Sequence, residues 1–301
     1  LVYLAFDLLK TQTTDKLIFQ TNDSLMEYVA MENKFIFFAK SQSIYLQDKA
    51  SYLADKDFAH DINGDGLDDI RIVDFNGIHY LMQTIDGAFE QQLIKIKPHM
   101  ETREKGSFFT ETELFYADFN LDKKQDLIQV VDHGLDIYFQ QANGLFTSEP
   151  KRIELPVDIK ALDWWKIKES NGDSPDQNKI AHRTLLKVID INNDSIADLI
   201  VRFEQTEGVL ERKNSYEIYL GKDAKNSIVF PGKPNSVIRL DGAVANFKLL
   251  DLNGDKKLEI IIASLDIGIS KIIGALVSGS IEQDIYFYMM DDNDIFGESP
   301  I

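Results

Sequence analysis

Asp61, Asn63, Asp65 and Asp69 stand at relative positions 1, 3, 5 and 9 of the stretch D-I-N-G-D-G-L-D-D. Side-chain oxygens at alternate positions converge on one point when a loop curls. A shell of about six to eight such oxygens is what a hard cation like calcium takes. The frame returns as Asp118, Asn120, Asp122 and Asp126, then as Asp190, Asn192, Asp194 and Asp198, and again as Asp251, Asn253, Asp255 and Glu259. Turn propensity accounts for Asp and Asn in a loop. It does not account for a carboxylate at position 9 in every copy. These residues are the expected ligands of about four calcium sites.

Other chemistries fit the chain less well. An EF-hand needs a bidentate Glu at position 12, where this chain has Ile72, Gln129, Val201 and Ile262. A dockerin-like loop fails on the same residue. The histidines at 60, 79, 99, 133 and 182 show no metal-ligand spacing, and His60 beside Asp61 reads as a strand-end residue. There is no G-x-S-x-G elbow and no phosphate-cradling glycine loop. A carboxylate set repeated along the chain suits a scaffold better than a single catalytic centre.

The segments after the loops decide what positions them. I-R-I-V, L-I-Q-V-V, L-I-V-R-F and I-I-I-A follow position 9, and β-branched runs of this kind predict strands. They are apolar at nearly every position, which predicts burial on both faces. A worn copy of the frame is expected at the start, with Asp7 and Asp15 eight apart and Leu9 and Thr11 between them. The first Asp of each copy then falls at 7, 61, 118, 190 and 251. Units of about 60 residues, rich in short strands, predict four-stranded propeller blades. The expected units are 1–50, 51–106, 107–160, 161–240 and 241–301, in one all-β domain.

Each unit parses into strands A to D. Strand A precedes the loop (Phe115 to Ala117, Leu185 to Ile189, Phe247 to Leu250) and strand B follows it. Strand C is expected at Ile78 to Met82, Asp136 to Gln140, Glu217 to Leu220 and Asp284 to Tyr288, and strand D at Phe89 to Ile96 and Phe146 to Leu155. Antiparallel order puts the C–D turns on the loop side of each sheet. Insertions at Pro156 to Ala181, Glu204 to Ser215 and Leu265 to Gln283 then fall on the other side, where loops free to vary tend to carry binding.

The four loops resemble those of FG-GAP/VCBS-type repeats, which build the integrin α-chain N-terminal propeller and many bacterial surface or secreted proteins. The resemblance covers nearly the whole chain. The Phe-Gly…Gly-Ala-Pro signature is missing, which favours the bacterial VCBS-like branch. Integrin-like propellers have seven blades, against five repeats here, so a smaller ring and part of a larger one both stay open. The resemblance implies calcium as a structural ion and a binding or adhesion role toward protein or carbohydrate. The alternatives are a polysaccharide lyase or hydrolase on a propeller frame, and a purely structural module of a larger secreted protein.

Composition narrows the partners. Fifty acidic against 32 basic residues give a net charge of −18, which opposes nucleic acid and anionic membranes. Four calcium ions would bring that to about −10. The absence of cysteine removes disulfide and thiolate chemistry. The longest apolar region, Ile260 to Ser280, contains Asp266 and Lys271, so no membrane span is expected. The chain opens at Leu1 with no signal-like segment, and a processed or trimmed chain is expected. Loops of modest affinity fill where calcium is millimolar, in an extracellular, cell-surface or periplasmic setting. At about 1 mM calcium a site of about 10⁻⁴ M affinity contributes about 1.4 kcal/mol. Four of them approach the whole stability of a typical domain. Trp164 or Trp165 could stack on a sugar ring, although one of the pair is expected in the core. The insertion bearing Ile269, Ile272, Ile273 and Leu276 has helical spacing and is expected to pack on its own sheet.

Overall fold

A computed structural model describes residues 3–44, 54–55, 57–103, 106–161, 181–206, 212–225, 227–241, 243–265, 276–280 and 283–301. Its described residues are all-β, arranged mainly as antiparallel sheets of three or four consecutive strands. By contact density the chain divides into two compact units. One holds Leu1–Leu114, Lys124–Gln129 and Tyr138–Pro150; the other holds Phe115–Lys123, Val130–Ile137 and Lys151–Ile301.

The first sheet runs Tyr3–Leu9, Lys16–Thr21, Ser24–Val29 and Lys34–Lys40 in sequential order, with Ala54–Asp55 added parallel to the opening strand. The second runs Ala59–His60, Asp69–Asp74, Gly77–Gln83 and Phe89–Ile94. One shared core joins them: Ala5, Leu9, Ile18, Leu25 and Ala39 from the first sheet, and Ala59, Ile70, Ile72 and Leu81 from the second. Asp7 ties the two by accepting the N–H groups of Phe58 at 2.7 Å and Ala59 at 2.8 Å.

Leu114–Ala117, Asp126–Val131, Gly134–Tyr138 and Lys151–Glu154 form the third sheet, again in chain order. The fourth comprises Ala181–Ile189, Asp198–Thr206, Arg212–Tyr219 and Ser236–Asp241. The fifth comprises Ala243–Leu250, Glu259–Leu265 and Asp284–Tyr288. Ile200, Tyr216, Ile218, Ile238 and Leu240 of the fourth sheet pack with Ile260, Ile262 and Tyr288 of the fifth. The strands after the loops are central and largely buried on both faces, as their apolar runs predict.

The structure revises three local expectations. The first hairpin closes with Leu9 opposite Lys16, while the equivalent pair in the second sheet is His60 opposite Asp69. Its turn is therefore two residues shorter than the later loops, and Asp7 sits inside a strand opposite Ile18. The Asp7–Asp15 alignment does not hold. Glu204 to Ser215 is largely a lengthened hairpin, with Glu204 opposite Asn214 and Thr206 opposite Arg212. The outer strand of the third sheet is shorter than expected, and Phe146 joins only through a single bridge to Gln140. Trp164, Trp165, Ile269, Ile272 and Ile273 lie outside the described residues. Leu276 and Val277 are helical and exposed.

Candidate metal loops

Three candidate loops have a buried second residue, Ile62, Phe119 or Ile191, while Leu252 of the fourth is exposed. All four loops take one backbone path, left-handed at positions 4 and 6. The φ angles are 79° and 89° at Gly64 and Gly66, and 60° and 70° at Leu121 and Lys123. They are 63° and 67° at Asn193 and Ser195, and 82° and 72° at Gly254 and Lys256. Five of these eight residues carry a side chain, and a left-handed L residue costs roughly 1–2 kcal/mol. Side-chain oxygens of the same loops offset that cost.

The curl is built by side-chain oxygens accepting backbone N–H groups. The first Asp accepts the position-6 N–H: Gly66 to Asp61 at 2.8 Å, Lys123 to Asp118 at 2.6 Å, Ser195 to Asp190 at 2.8 Å and Lys256 to Asp251 at 3.1 Å. The Asn at position 3 accepts the position-5 N–H, at 2.9 Å for Asn63, 3.0 Å for Asn120, 3.3 Å for Asn192 and 2.8 Å for Asn253. Asp65, Asp194 and Asp255 in turn accept from Leu67, Ile196 and Lys257. Asn63, Asn192 and Asn253 also point their amide nitrogens at Asp65, Asp194 and Asp255. The first, third and fifth side chains are thereby gathered on the inside of one turn.

Position 9 lies deeper. Asp69, Asp126 and Asp198 are fully buried and Glu259 nearly so. Asp69 accepts Ile62 N–H at 3.1 Å with one oxygen and Gln83 N–H at 2.7 Å with the other. Asp198 does the same with Ile191 at 2.9 Å and Gly221 at 2.8 Å. Asp126 accepts Gln140 N–H at 2.9 Å, and Glu259 accepts Leu252 N–H at 2.6 Å. At Asp69 and Asp198 the ninth carboxylate is thus a staple between its loop and the end of strand C. Burial pushes Asp69 and Asp198 up to about 7, against the opposing pull of those N–H donors. Asp255, fully exposed, is held below its ordinary value by the Lys257 N–H.

Sequence reasoning missed Gln83, Gln140 and Gly221 as partners of position 9. A signal was present: D-G-A-F, N-G-L-F and N-D-I-F recur at 86–89, 143–146 and 293–296, marking turns that close beside the loops. Gly144 and Asp294, equivalent residues of two such turns, each approach the position-3 Asn of a preceding loop. A Cβ at Gly144 would stand 3.0 Å from Asn63 Nδ2, and Asp294 Oδ2 lies 3.5 Å from Asn192 Nδ2. The backbone N–H two residues later is also capped alike, Phe146 by Gln92 and Phe296 by Ser236, each at 2.9 Å.

No protein-family model matches the chain, and no curated protein matches it. Among solved structures it is similar to a lectin from Agrocybe aegerita described for specific recognition of non-reducing terminal N-acetylglucosamine. That similarity has a TM-score of 0.38 at 14% identity, over 98% of this chain and 78% of the lectin chain. At this level the match assigns no ligand.

The donor set is all oxygen, from carboxylates and an amide, which fits a hard cation and not a soft one. Among the described residues no three His, Asp or Glu side chains form a metal-holding group. No described helix is long and apolar enough to cross a membrane.

Proposed function

We propose that the chain is a calcium-stabilised β-propeller of the FG-GAP/VCBS type that works outside the cytosol as a binding scaffold for protein or carbohydrate. The observation carrying this reading is the common path of the four loops, left-handed at positions 4 and 6 with oxygens at 1, 3 and 5 inside. Strained backbone persists where a site requires it, and a cation held by those oxygens is the compensation that the donor chemistry supports. The propeller rests on sheets of consecutive antiparallel strands and on the neighbour relation that Gly144 and Asp294 share. A repeated scaffold site favours binding over catalysis.

Elemental analysis of the full chain, stripped with chelator and dialysed against 1 mM calcium, tests the reading. Close to four calcium per chain is expected. A chain carrying none contradicts it.

A further inference from the structure

Both faces of the first sheet are apolar, but only one is buried. Leu9, Ile18, Leu25 and Ala39 point into the core shared with the second sheet. The pairing register sets the residues between them in two rows on the other face. Phe6, Phe19, Met26 and Phe37 stand side by side across the four strands, and Leu8, Leu17, Tyr28 and Phe35 form the next row. All eight are apolar or aromatic, a pattern suited to burial. The rings are already in contact, Phe19 with Phe35 at 5.1 Å between centroids and Tyr28 with Phe35 at 5.0 Å. Yet Phe37 is 64% exposed, Leu8 54% and Phe35 37%. Met31, in the hairpin turn beyond the second row, is fully exposed.

The patch is large for a surface and nearly uncharged. A bare aromatic side chain presents roughly 150–250 Å², so these exposures amount to an apolar area of about 600–700 Å². The largest patch on a typical monomer is about 300–600 Å², whereas a standard interface takes about 800 Å² from each partner. Neither row holds a carboxylate. Residues 1–44 contain five acids (Asp7, Asp15, Asp23, Glu27, Glu32) and four bases (Lys10, Lys16, Lys34, Lys40), a net of −1 within a chain of −18. Glu27 is paired with Lys16, and Glu32 with Lys34. A second copy approaching here meets none of the like-charge repulsion that the acidic remainder of the chain raises. Lys34 and Lys40 close the two ends of the outer strand, a placement that discourages pairing along the edge. Association is thereby directed through the face.

We infer that the chain forms a two-fold dimer by packing this face against the same face of a second copy. Twisted sheets stack face to face about 10 Å apart at about −30°, and a two-fold axis lets one surface serve both sides. Phe35, Phe37 and Leu8 enter the shared layer, giving the apolar centre that homodimer interfaces have, with Lys34 and Lys40 at its rim. No candidate calcium ligand lies in these four strands, so the inference stands apart from the calcium reading.

Sedimentation equilibrium of the full chain from about 1 to 100 μM, in calcium and in chelator, tests this with wild type, Phe37→Glu and Leu276→Glu. Wild type should be dimeric across most of that range in both buffers. Phe37→Glu sets two carboxylates in an apolar layer and should weaken association at least about hundredfold. Leu276 is 81% exposed and lies outside the sheet, and Leu276→Glu should dimerise as wild type does. Amide exchange gives a reading that needs no variant. Residues 34–40 should exchange more slowly at the top of the concentration range than at the bottom, and residues 276–280 equally at both. A wild type that is monomeric throughout overturns the inference. So does a dimer that Phe37→Glu leaves intact, or one that slows exchange only elsewhere. A monomer that binds neutral phosphatidylcholine vesicles through Phe37 overturns it in favour of a lipid surface.

Discussion

Asp69 Oδ1 accepts the Gln83 N–H at 2.7 Å, fastening the end of one strand to the base of a loop 14 residues earlier. In the same way Asp126 accepts the Gln140 N–H and Asp198 accepts the Gly221 N–H. Position 9 therefore has a structural duty that does not depend on metal.

That duty predicts a cost that chelator does not remove. Asp198→Ala leaves the Ile191 and Gly221 N–H groups without their acceptor in a buried setting. At about 1–3 kcal/mol for each such group, urea unfolding in EDTA should show a loss of about 2–6 kcal/mol. A variant as stable as wild type in EDTA would show that the staple contributes nothing.

The metal-free protein should lose stability as pH rises. Burial raises Asp69 and Asp198 from an ordinary carboxylate value to about 7 in the folded state. Between about pH 4 and 7 the folded chain then holds protons that the unfolded chain has released. The stability from that protonation is present at low pH and disappears as pH passes 7. Melting in chelator at pH 5.5 should exceed melting at pH 8. Saturating calcium, which needs the carboxylates ionised, should reduce or reverse the trend. A flat profile in chelator would contradict the burial argument.

Gly221 is a steric prediction. A Cβ built on it would lie 2.3 Å from the Ala197 carbonyl oxygen, at position 8 of the loop from Asp190. Backbone cannot yield as a flexible side chain does, so Gly221→Ala should destabilise by about 1–3 kcal/mol, the range for overpacking. It should also weaken calcium at that loop. Equal stability would mean the strand end and loop separate more readily than their hydrogen bond implies.

Much of this was legible in the residues. The loops, the buried strands after them and the side on which the C–D turns close all follow from ligand spacing, β-branched runs and antiparallel order. The first hairpin was misaligned because Asp7 and Asp15 mimic the spacing of positions 1 and 9, while pairing shows a turn shortened by two residues. The direction of position 9 was hidden, since a buried Asp stapling backbone and an Asp facing a cation look alike in one dimension. The approach of Asp294 to Asn192 spans 102 residues. No local pattern announces it.

Thermal unfolding in millimolar calcium and again in excess EGTA tests the central claim most directly. Four occupied loops predict a melting temperature lower by about 10 °C or more in EGTA, from a combined contribution of several kcal/mol. Identical melting curves in the two buffers would contradict calcium as the ion that holds these loops.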